Sequence, residues 1–287
     1  MPAKTFGVIC TKGGVGKTTT CANIGGILAD MGQRVLLIDC DPQQSLSRVF
    51  RLSRRAPFAL TQLYRAASAE HCISETEFPN LHIVLNDDPK KDEVGTFLRE
   101  SVYHFHNLGA AINGIRDQYD YVIIDTQGAK GIIQESVVLA SDALLSPVQP
   151  KVLDSREFIV GTVDVYRKLQ PKPGFPSITG RPTPPLRVLI NQADNTTASE
   201  QVIRNLRKYF DQEADGLITV LNTMIPDLNA YAMATSTGVP VHRYERSRRG
   251  PTLAALHIMT QLIHELEPKL SDMTPTITAV EEVSSGQ

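Results

Sequence analysis

Short apolar runs alternate with longer stretches of helical periodicity along most of this 287-residue chain. The short runs are rich in Val, Ile and Leu, which is typical of parallel strands that are covered on both faces. Helical spacing fills the gaps between them, for example over residues 102–119, 154–169 and 199–210. This alternation predicts an α/β fold, a doubly wound and mostly parallel sheet with helices on both faces. The predicted strands span residues 6–10, 35–39, 81–85, 121–125, 143–148, 186–191 and 218–221.

Two segments interrupt this alternation. Residues 171–185 contain several prolines, which predicts an irregular surface excursion before the strand that begins at residue 186. Residues 271–287 include acidic side chains but neither basic nor aromatic ones, which predicts a disordered or loosely attached tail. We therefore expect a single large domain over residues 1–270, followed by this acidic tail.

A glycine-rich loop follows the first predicted strand and leads into a helical pattern. Its sequence, KGGVGKTT over residues 12–19, has the layout of a phosphate-binding loop. The backbone N–H groups of such a loop point at an anion, and the positive end of the following helix adds to the attraction. Lys17 would supply charge to the phosphates, and the Thr18 hydroxyl can ligate Mg²⁺. The predicted nucleotide contacts are Gly13, Gly14, Val15, Gly16, Lys17, Thr18 and Thr19.

The loop departs from the usual pattern at its first position, where Thr11 replaces glycine and a second lysine, Lys12, follows. Lys17 already occupies the position that faces the nucleotide, so we expect Lys12 to point away from its own loop. A cation at that lip can reach a phosphate that is bound by a second molecule. An ordinary solvated surface lysine is the other interpretation, and the residues alone leave both open.

Three aspartates lie at or just beyond the ends of predicted strands, where parallel sheets bind ligands. Asp39 closes the second strand, Asp41 follows it, and Asp125 closes the apolar run YDYVIID. A carboxylate beside a phosphate loop can hold Mg²⁺ or its waters, and another can position the attacking water. Taken alone, the first two could equally be solvated residues of a turn at the Asp-Pro pair. Beside the phosphate loop, a metal and hydrolysis site is favoured.

Composition narrows the function classes. The formal net charge is −2, so no overall basic field indicates nucleic-acid binding, and a DNA contact must come from a local patch. The four cysteines form no C-x-x-C pair, which favours small buried residues in a reducing compartment over a zinc or disulfide site. No apolar run approaches the roughly 20 residues of a membrane span, and the amino terminus is unlike a signal peptide. We therefore expect a cytoplasmic protein.

The string KGGVGKTTT resembles the deviant Walker A motif of the ParA/MinD family of ATPases, and the similarity extends over residues 4–267. The short, Soj-like ParA proteins are the most similar branch. This resemblance implies a P-loop NTPase fold that binds ATP or ADP with Mg²⁺. It also implies that Lys12 is the signature lysine, which reaches across an ATP-sandwiched homodimer and joins Lys17 in catalysis.

The aspartates match further motifs of that family. The segment IDCDPQQ resembles the D-x-D-P-Q segment of ParA proteins, which implies that Asp41 orients or activates water and that Asp39 acts on the Mg²⁺ shell. Asp125 falls on the Walker B position and is implied, with Thr18, in Mg²⁺ binding. Family members often continue D-T-P-P, whereas this chain has Gln127 after Thr126, and this departure leaves the details of that loop open.

Two later segments resemble the adenine-binding region of the family. LRVLINQ contains Asn191, and IPDLNAYAMATSTGVPV contains Pro226. The resemblance implies that both residues line the adenine pocket. A turn residue at a strand end is the other interpretation of Asn191.

Basic clusters are the candidate DNA contacts, although charge runs are usually solvated faces. The resemblance implies that an ATP-bound dimer holds DNA without sequence specificity, through phosphates. We favour the cluster in 243–249 over that in 204–208, and a third in 48–55 is left unassigned. The predicted DNA residues are Arg204, Arg207, Lys208, Arg243, Arg246, Arg248 and Arg249.

The function implied is that of a nucleoid-associated partition ATPase, which hydrolyses ATP slowly until a ParB-like centromere-binding partner stimulates it. The strongest alternative is an ATPase of the same core that positions a non-DNA cargo, such as secretion, conjugation or polysaccharide machinery. A MinD-like membrane ATPase would need a basic amphipathic carboxyl-terminal helix, and the acidic tail argues against it. A reductase resembling the nitrogenase iron protein would need a cysteine pattern that Cys40 and Cys72 do not offer.

Overall fold

The computed structural model describes residues 2–89, 92–170, 183–212 and 216–277. Within these ranges, ten strands join in one sheet that has helices on both faces. The strands are β1 Lys4–Val8, β2 Val35–Asp39, β3 Leu52–Arg54, β4 Ile73–Thr76, β5 Leu81–Val84, β6 Tyr121–Asp125, β7 Ala143–Val148, β8 Leu186–Ala193, β9 Ile218–Val220 and β10 Ile225–Pro226.

Helices connect most of these strands. A π-helical turn, Phe158–Val163, joins α6 to α7, and three 3₁₀ turns lie at Leu46–Arg48, Val102–His106 and Pro268–Leu270. The α-helices of the described ranges are α1 Lys17–Asp30, α2 Leu60–Ala66, α3 Glu93–Glu100, α4 Asn107–Asn113, α5 Ile132–Ala140, α6 Val152–Glu157, α7 Asp164–Lys168, α8 Thr197–Asp211, α9 Asn229–Thr237, α10 Val241–Tyr244 and α11 Ala255–Leu266.

The sheet is ordered β10-β8-β7-β1-β6-β2-β5-β4-β3, and β9 also pairs with β8. All pairs are parallel except those that β4 makes with β3 and β5. The chain leaves β1 toward β2 on one side and later returns to β7 on the other, so the strand order reverses beside β1. Such a reversal opens a crevice at the carboxyl ends of the strands. The predicted doubly wound, mostly parallel α/β fold is confirmed.

Two apolar clusters, one on each face, hold the layers together. Along β2, Leu36 and Ile38 belong to one cluster and Leu37 to the other, because successive side chains of a strand point to opposite faces. Helices α2, α4, α5 and α8 cover the first face, whereas α1, α9 and α11 cover the second. The central strands are therefore buried on both sides, and this explains their continuous apolar sequence.

The strands predicted at 35–39, 121–125 and 143–148 have the expected bounds. Strand β1 begins two residues before the first predicted strand. The short strands β3, β4 and β10 were not predicted, because they contain too few residues to show a hydrophobic period. The helical pattern over 102–119 is wrong as one helix: a 3₁₀ turn precedes α4, which ends at Asn113 before Gly114. The pattern over 154–169 is likewise interrupted by the π-helical turn.

The two irregular segments fall largely outside the described residues, namely 171–182 of the proline-rich excursion and 278–287 of the tail. Residues 271–277 of the tail lie against the domain. Met273 packs on the α1/α11 face and accepts a hydrogen bond from His264, while the Thr276 amide donates to Asp30 O at 2.7 Å. The domain limit at residue 270 stays a prediction. In the described ranges, no helix is both long and apolar enough to cross a bilayer.

Candidate functional site

The loop between β1 and α1 forms a backbone nest at the strand-order reversal. Gly14 and Gly16 have φ angles of +76° and +87°, in the left-handed region that favours glycine. Helix α1 starts at Lys17, directly after this turn. Its N-cap residue, Gly16, has no side chain that could cap the first N–H groups of the helix, so these groups remain available to a ligand. A loop of this shape at a helix N-terminus binds anions, above all phosphate.

Three side chains, two of them from outside the loop, hold its carbonyl groups. The Asn191 amide donates to Val15 O at 2.7 Å, the Gln149 amide to Gly14 O at 3.1 Å, and Lys17 Nζ to Lys12 O at 3.1 Å. The sequence predicted Asn191 as an adenine contact and did not predict Gln149, which follows directly on β7.

Two buried carboxylates lie beneath the loop. Thr18 Oγ1 donates to Asp125 Oδ2 at 2.6 Å, whereas Asp125 Oδ1 is buried without a hydrogen-bond partner in the described structure. Burial, followed by the charge of Asp39, raises the pKa of Asp125 to about 7. Burial also raises the pKa of Asp39 to about 6, although Ser47 donates to Asp39 through its amide and its hydroxyl, each at 2.7 Å.

These groups suit a hard cation. A hydroxyl and two carboxylates are the oxygen ligands that Mg²⁺ takes, and a cation would satisfy the orphaned Asp125 Oδ1 and offset the burial of both charges. Across the described ranges, no group of three or more His, Cys, Asp or Glu side chains is arranged to hold a metal by itself. Mg²⁺ is usually bound by one or two carboxylates together with water and substrate phosphates.

Asp41 is buried and lines the same crevice. Its amide donates to Asp39 Oδ1 at 3.0 Å, and its Oδ1 accepts from the Gln43 amide at 2.9 Å. These hydrogen bonds tie the loop that carries Asp41 to the buried Asp39, and they therefore fix the position of the Asp41 carboxylate. Asp41 lines the crevice, as a residue that acts on bound water requires.

Two cavities that share lining residues lie beside the phosphate loop. The larger, 680 Å³, is lined by the loop, by Asp41 and by the segment 127–129. The smaller, 150 Å³, is lined by Asn23, Asn191, Pro226 and Tyr231 among others. Gly16, Thr19 and Gln192 line both. Together, the larger cavity at the phosphate loop and the smaller pocket beside it suit a nucleotide.

Comparisons with known proteins decide the family. A family model described as an AAA domain matches residues 3–167, which is more than half of the chain. The chromosome partitioning protein ParA of Caulobacter vibrioides is 30% identical over 259 residues, covering 85% of this chain and 88% of that protein. The chain belongs to the ParA/MinD family of P-loop ATPases. The sporulation initiation inhibitor protein Soj of Bacillus subtilis is 29% identical over 256 residues, covering 86% of this chain and 93% of Soj.

A solved structure of the same family agrees in fold. The septum site-determining protein MinD of Pyrococcus horikoshii, complexed with Mg-ADP, superposes with a TM-score of 0.67 at 19% identity. The superposition covers 93% of this chain and 98% of that MinD chain. The ParA/MinD fold is therefore present over nearly the whole chain.

Lys12, at the start of the glycine-rich loop, is not among the residues that line the larger cavity. Its ammonium pairs with Asp154 and, at 2.9 Å, with Glu157, both on α6. The hydrogen bond to Asp154, and then that to Glu157, raises the pKa of Lys12. In a single chain, the Lys12 side chain therefore lies along the protein surface and points toward α6. The sequence did not predict these acidic partners.

Thr11, where the usual pattern has glycine, contacts the π-helical turn. Its amide donates to Thr162 Oγ1 at 2.9 Å, and the two hydroxyls lie 3.2 Å apart. A Cβ atom at Gly161 would collide with Thr11 Oγ1, so the turn approaches the loop as closely as glycine allows. The π-helical turn thus accommodates Thr11 in place of the usual glycine. Turns of this kind are frequent at functional sites.

The structure corrects part of the predicted DNA surface. Arg243 has a side chain that is only 6% exposed, paired with Asp30 and stacked over the Phe78 ring. Its guanidinium is therefore a buried structural cation and not a DNA contact. Arg207 is half-buried and donates to Leu221 O at 3.2 Å.

The other predicted DNA residues are exposed. Arg204 pairs with Glu200, and Arg248 with Glu245. Among the described residues, none forms an ion pair with Lys208, Arg246 or Arg249. The exposed basic surface is consequently smaller than the sequence predicted.

Proposed function

We propose that this chain is a ParA-type partition ATPase, which dimerises with ATP and Mg²⁺ and holds non-specific DNA while ATP remains bound. The observation that carries the proposal is the position of Lys12, at the outer lip of a phosphate loop whose inner lysine, Lys17, lines the cavity. A phosphate loop needs one inward lysine, so a second one beside it calls for a phosphate held elsewhere.

ATP would occupy the two cavities, with its phosphates at residues 13–19 and its base in the smaller pocket beside Asn191 and Pro226. Mg²⁺ would be held by Thr18 and, directly or through water, by Asp39 and Asp125. When bound, the ion supplies positive charge to the terminal phosphates, where negative charge must be stabilised during phosphoryl transfer. Asp41, which lines the larger cavity, would orient the attacking water.

Two copies would meet face to face at this crevice. Lys12 would then leave Asp154 and Glu157 and reach the terminal phosphate of the partner copy. The released acids would remain at the interface edge. Nucleotide binding and dimerisation are coupled in this arrangement, because Lys12 finds its new anion only when ATP is present in the facing subunit.

The exposed basic residues Lys208, Arg246 and Arg249 would carry the DNA contact of the dimer. Such contacts to phosphates are independent of sequence and weaken with salt. A ParB-like partner would stimulate hydrolysis and release the dimer from DNA. The chain would thus act in the cytoplasm, at the nucleoid. The relationship to a chromosome partitioning ParA protein supports this assignment.

The test is the molecular mass in solution with and without ATP and Mg²⁺, by sedimentation velocity. We expect the wild-type chain to change from monomer to dimer with ATP, and the Lys12→Ala variant to bind ATP but remain monomeric or lose hydrolysis. The Asp41→Ala variant should form the ATP dimer and bind DNA without turnover. If Asp41→Ala remains monomeric and does not bind DNA in the presence of ATP, the proposed cycle is wrong.

A second function, an ATPase of the same core that positions a non-DNA cargo, is favoured by one observation. Arg243 is buried, and Arg204 and Arg248 are already paired with acids, so three of the seven predicted DNA residues have other partners. DNA binding by the ATP dimer, measured by mobility shift at physiological salt, separates the two. An ATP dimer that ignores DNA favours the cargo function.

A further inference from the structure

Gln127 lines the larger cavity, but the proposed mechanism gives it no role. It lies two residues beyond Asp125 at the end of β6 and lines the same cavity as Lys17 and Asp41. The side chain is half-buried. In the family pattern this position is often proline, which has no side-chain donor or acceptor. Here an amide stands in its place.

The backbone around Gln127 is fixed on both sides. On one side, Thr126 Oγ1 donates to Val8 O of β1 at 2.8 Å. On the other, a Cβ at Gly128 would lie 2.6 Å from Gly13 Cα, so this segment rests directly on the phosphate loop. The Cα of Gln127 is therefore held at a set distance from the loop that would bind the terminal phosphates.

The side chain of Gln127, in contrast, is not fixed by a hydrogen bond in the described structure. Within the part of the chain that the structure describes, no residue hydrogen-bonds to its amide. Gly131 leaves room for it, because a Cβ there would lie 2.9 Å from Gln127 Nε2. An uncharged amide offers both donors and an acceptor, which suits the bridging of a water molecule and a phosphate oxygen.

We infer that Gln127 is a further catalytic residue of the proposed ATPase reaction, on which this inference rests. In the transition state, its Nε2–H would donate to an oxygen of the phosphoryl group being transferred, and its Oε1 would accept from the attacking water. Asp41 cannot perform both tasks, because an ionised carboxylate accepts hydrogen bonds from water but has no proton to donate to a phosphate oxygen. A glutamine that orients water is a known solution in other phosphoryl-transfer enzymes.

The step balances without a further reactant. The water oxygen forms a bond to the terminal phosphorus as the bond from that phosphorus to the bridging oxygen breaks. The bridging oxygen keeps the electron pair and leaves as part of ADP. The water proton passes to Asp41 and then to the released phosphate, while Gln127 only aligns the water and is unchanged.

The test compares Gln127→Ala and Gln127→Glu with the wild-type full-length chain in single-turnover ATP hydrolysis. We expect turnover to fall about 10- to 100-fold in both variants. In Gln127→Ala, the dissociation constant for ATP should change by less than about twofold, because only the transition state loses a contact. Gln118→Ala, an exposed glutamine near the opposite end of β6, is the matched control and should keep the wild-type rate.

Binding of two phosphate analogues distinguishes catalysis from a merely structural role. With ADP and Mg²⁺, beryllium fluoride imitates bound ATP and aluminium fluoride imitates the transition state. The variants should retain the first complex and lose affinity for the second. Equal loss of both complexes, or wild-type turnover in Gln127→Ala, would overturn the inference and leave the ATPase intact. If the wild-type chain itself does not hydrolyse ATP, the proposed function fails instead.

Discussion

Lys12 and Asp154 form an ion pair that joins the lip of the phosphate loop to helix α6. Glu157 lies 2.9 Å from the same ammonium and reinforces the pair. One side chain cannot hold these carboxylates and also extend to a phosphate in a facing subunit. The ion pair of the single chain therefore competes with the proposed dimer.

Removing the two negative charges should favour the dimer. In a variant with Asp154→Asn and Glu157→Gln, Lys12 loses its intramolecular partners but remains charged. We expect the ATP concentration at half-maximal dimerisation to fall about two- to fivefold, the size expected for a partly exposed ion pair. Sedimentation velocity across an ATP titration measures this.

The control for this variant is Glu200→Gln, which removes a carboxylate from an exposed ion pair on α8 without touching Lys12. It should dimerise like the wild-type chain. Unchanged or weaker dimerisation of the double variant would mean that the acids of α6 do not restrain Lys12.

The contact between Gly128 and the phosphate loop gives a second prediction. An added Cβ would lie 2.6 Å from Gly13 Cα and 2.7 Å from Gly13 N, and neither backbone atom can move aside without distorting the loop. Because displacement by about 1 Å can cost 10²-fold in rate, we expect Gly128→Ala to lower ATP turnover about 10²-fold.

Gly109→Ala is the matched control for Gly128→Ala. A Cβ at Gly109 meets its nearest atoms at 3.8 and 3.9 Å, an ordinary contact, and the residue lies within α4. This variant should retain turnover and be slightly more stable, because alanine restricts the unfolded chain. Wild-type activity of Gly128→Ala would show that the loop accommodates the methyl group.

Much of the fold and the candidate site could be predicted because the signals are local in sequence. The phosphate loop is one continuous string, and the apolar strands that end in Asp39 and Asp125 have the predicted bounds. Parallel strands then bring their carboxyl ends to one edge, so the aspartates meet beside Thr18. Here sequence spacing and topology suffice.

The rest depended on contacts between residues far apart in the chain. Lys12 and Asp154 are separated by 142 positions, and Arg243 is 213 positions from Asp30. A run of arginines has the same appearance whether its side chains face solvent or a buried acid. Only the packing of α10 against α1 shows that Arg243 belongs to the interior while Arg246 and Arg249 stay exposed.

That difference between neighbouring arginines yields a third prediction. Replacing Arg243 by alanine leaves Asp30 buried without its guanidinium, and breaking such a pair typically costs about 3–5 kcal/mol in the free energy of unfolding. Arg249→Ala should change this free energy by less than about 0.5 kcal/mol. Chemical denaturation of both variants measures the contrast.

The same two variants test the DNA surface. If the dimer binds DNA through exposed cations, Arg249→Ala should weaken binding and lower the salt dependence by about one phosphate contact. Arg243→Ala, measured at a temperature where it is folded, should bind like the wild-type chain. Equal stability of the two variants would contradict the structural role of Arg243.

The Asp30–His242 contact gives a prediction about pH. His242 is fully buried, its Nε2 lies 2.7 Å from Asp30 Oδ2, and its Nδ1 has no partner in the described structure. Burial lowers the pKa of His242 below 6.5 and outweighs the opposing effect of Asp30. Burial opposes ionisation of Asp30, but the hydrogen bonds from His242 and Arg243 lower its pKa below 3.8. The native pair is thus a neutral imidazole that donates to a carboxylate.

As the pH falls through 6.5, the unfolded chain binds a proton at this histidine before the folded chain does, so folding stability is lost on acidification. One such group contributes at most about 1.4 kcal/mol per pH unit. We therefore expect His242 to lower the thermal midpoint between pH 7 and pH 5, in opposition to Asp39 and Asp125, whose raised pKa values of about 6 and about 7 favour the folded chain as the pH falls. His242→Gln keeps an amide donor toward Asp30 but removes the titrating ring, so its midpoint should fall less, or rise more, than that of the wild-type chain over this interval. His257→Gln, on the exposed side of α11, controls for the loss of a histidine. If the midpoints of His242→Gln and the wild-type chain change in parallel, the acid sensitivity arises elsewhere.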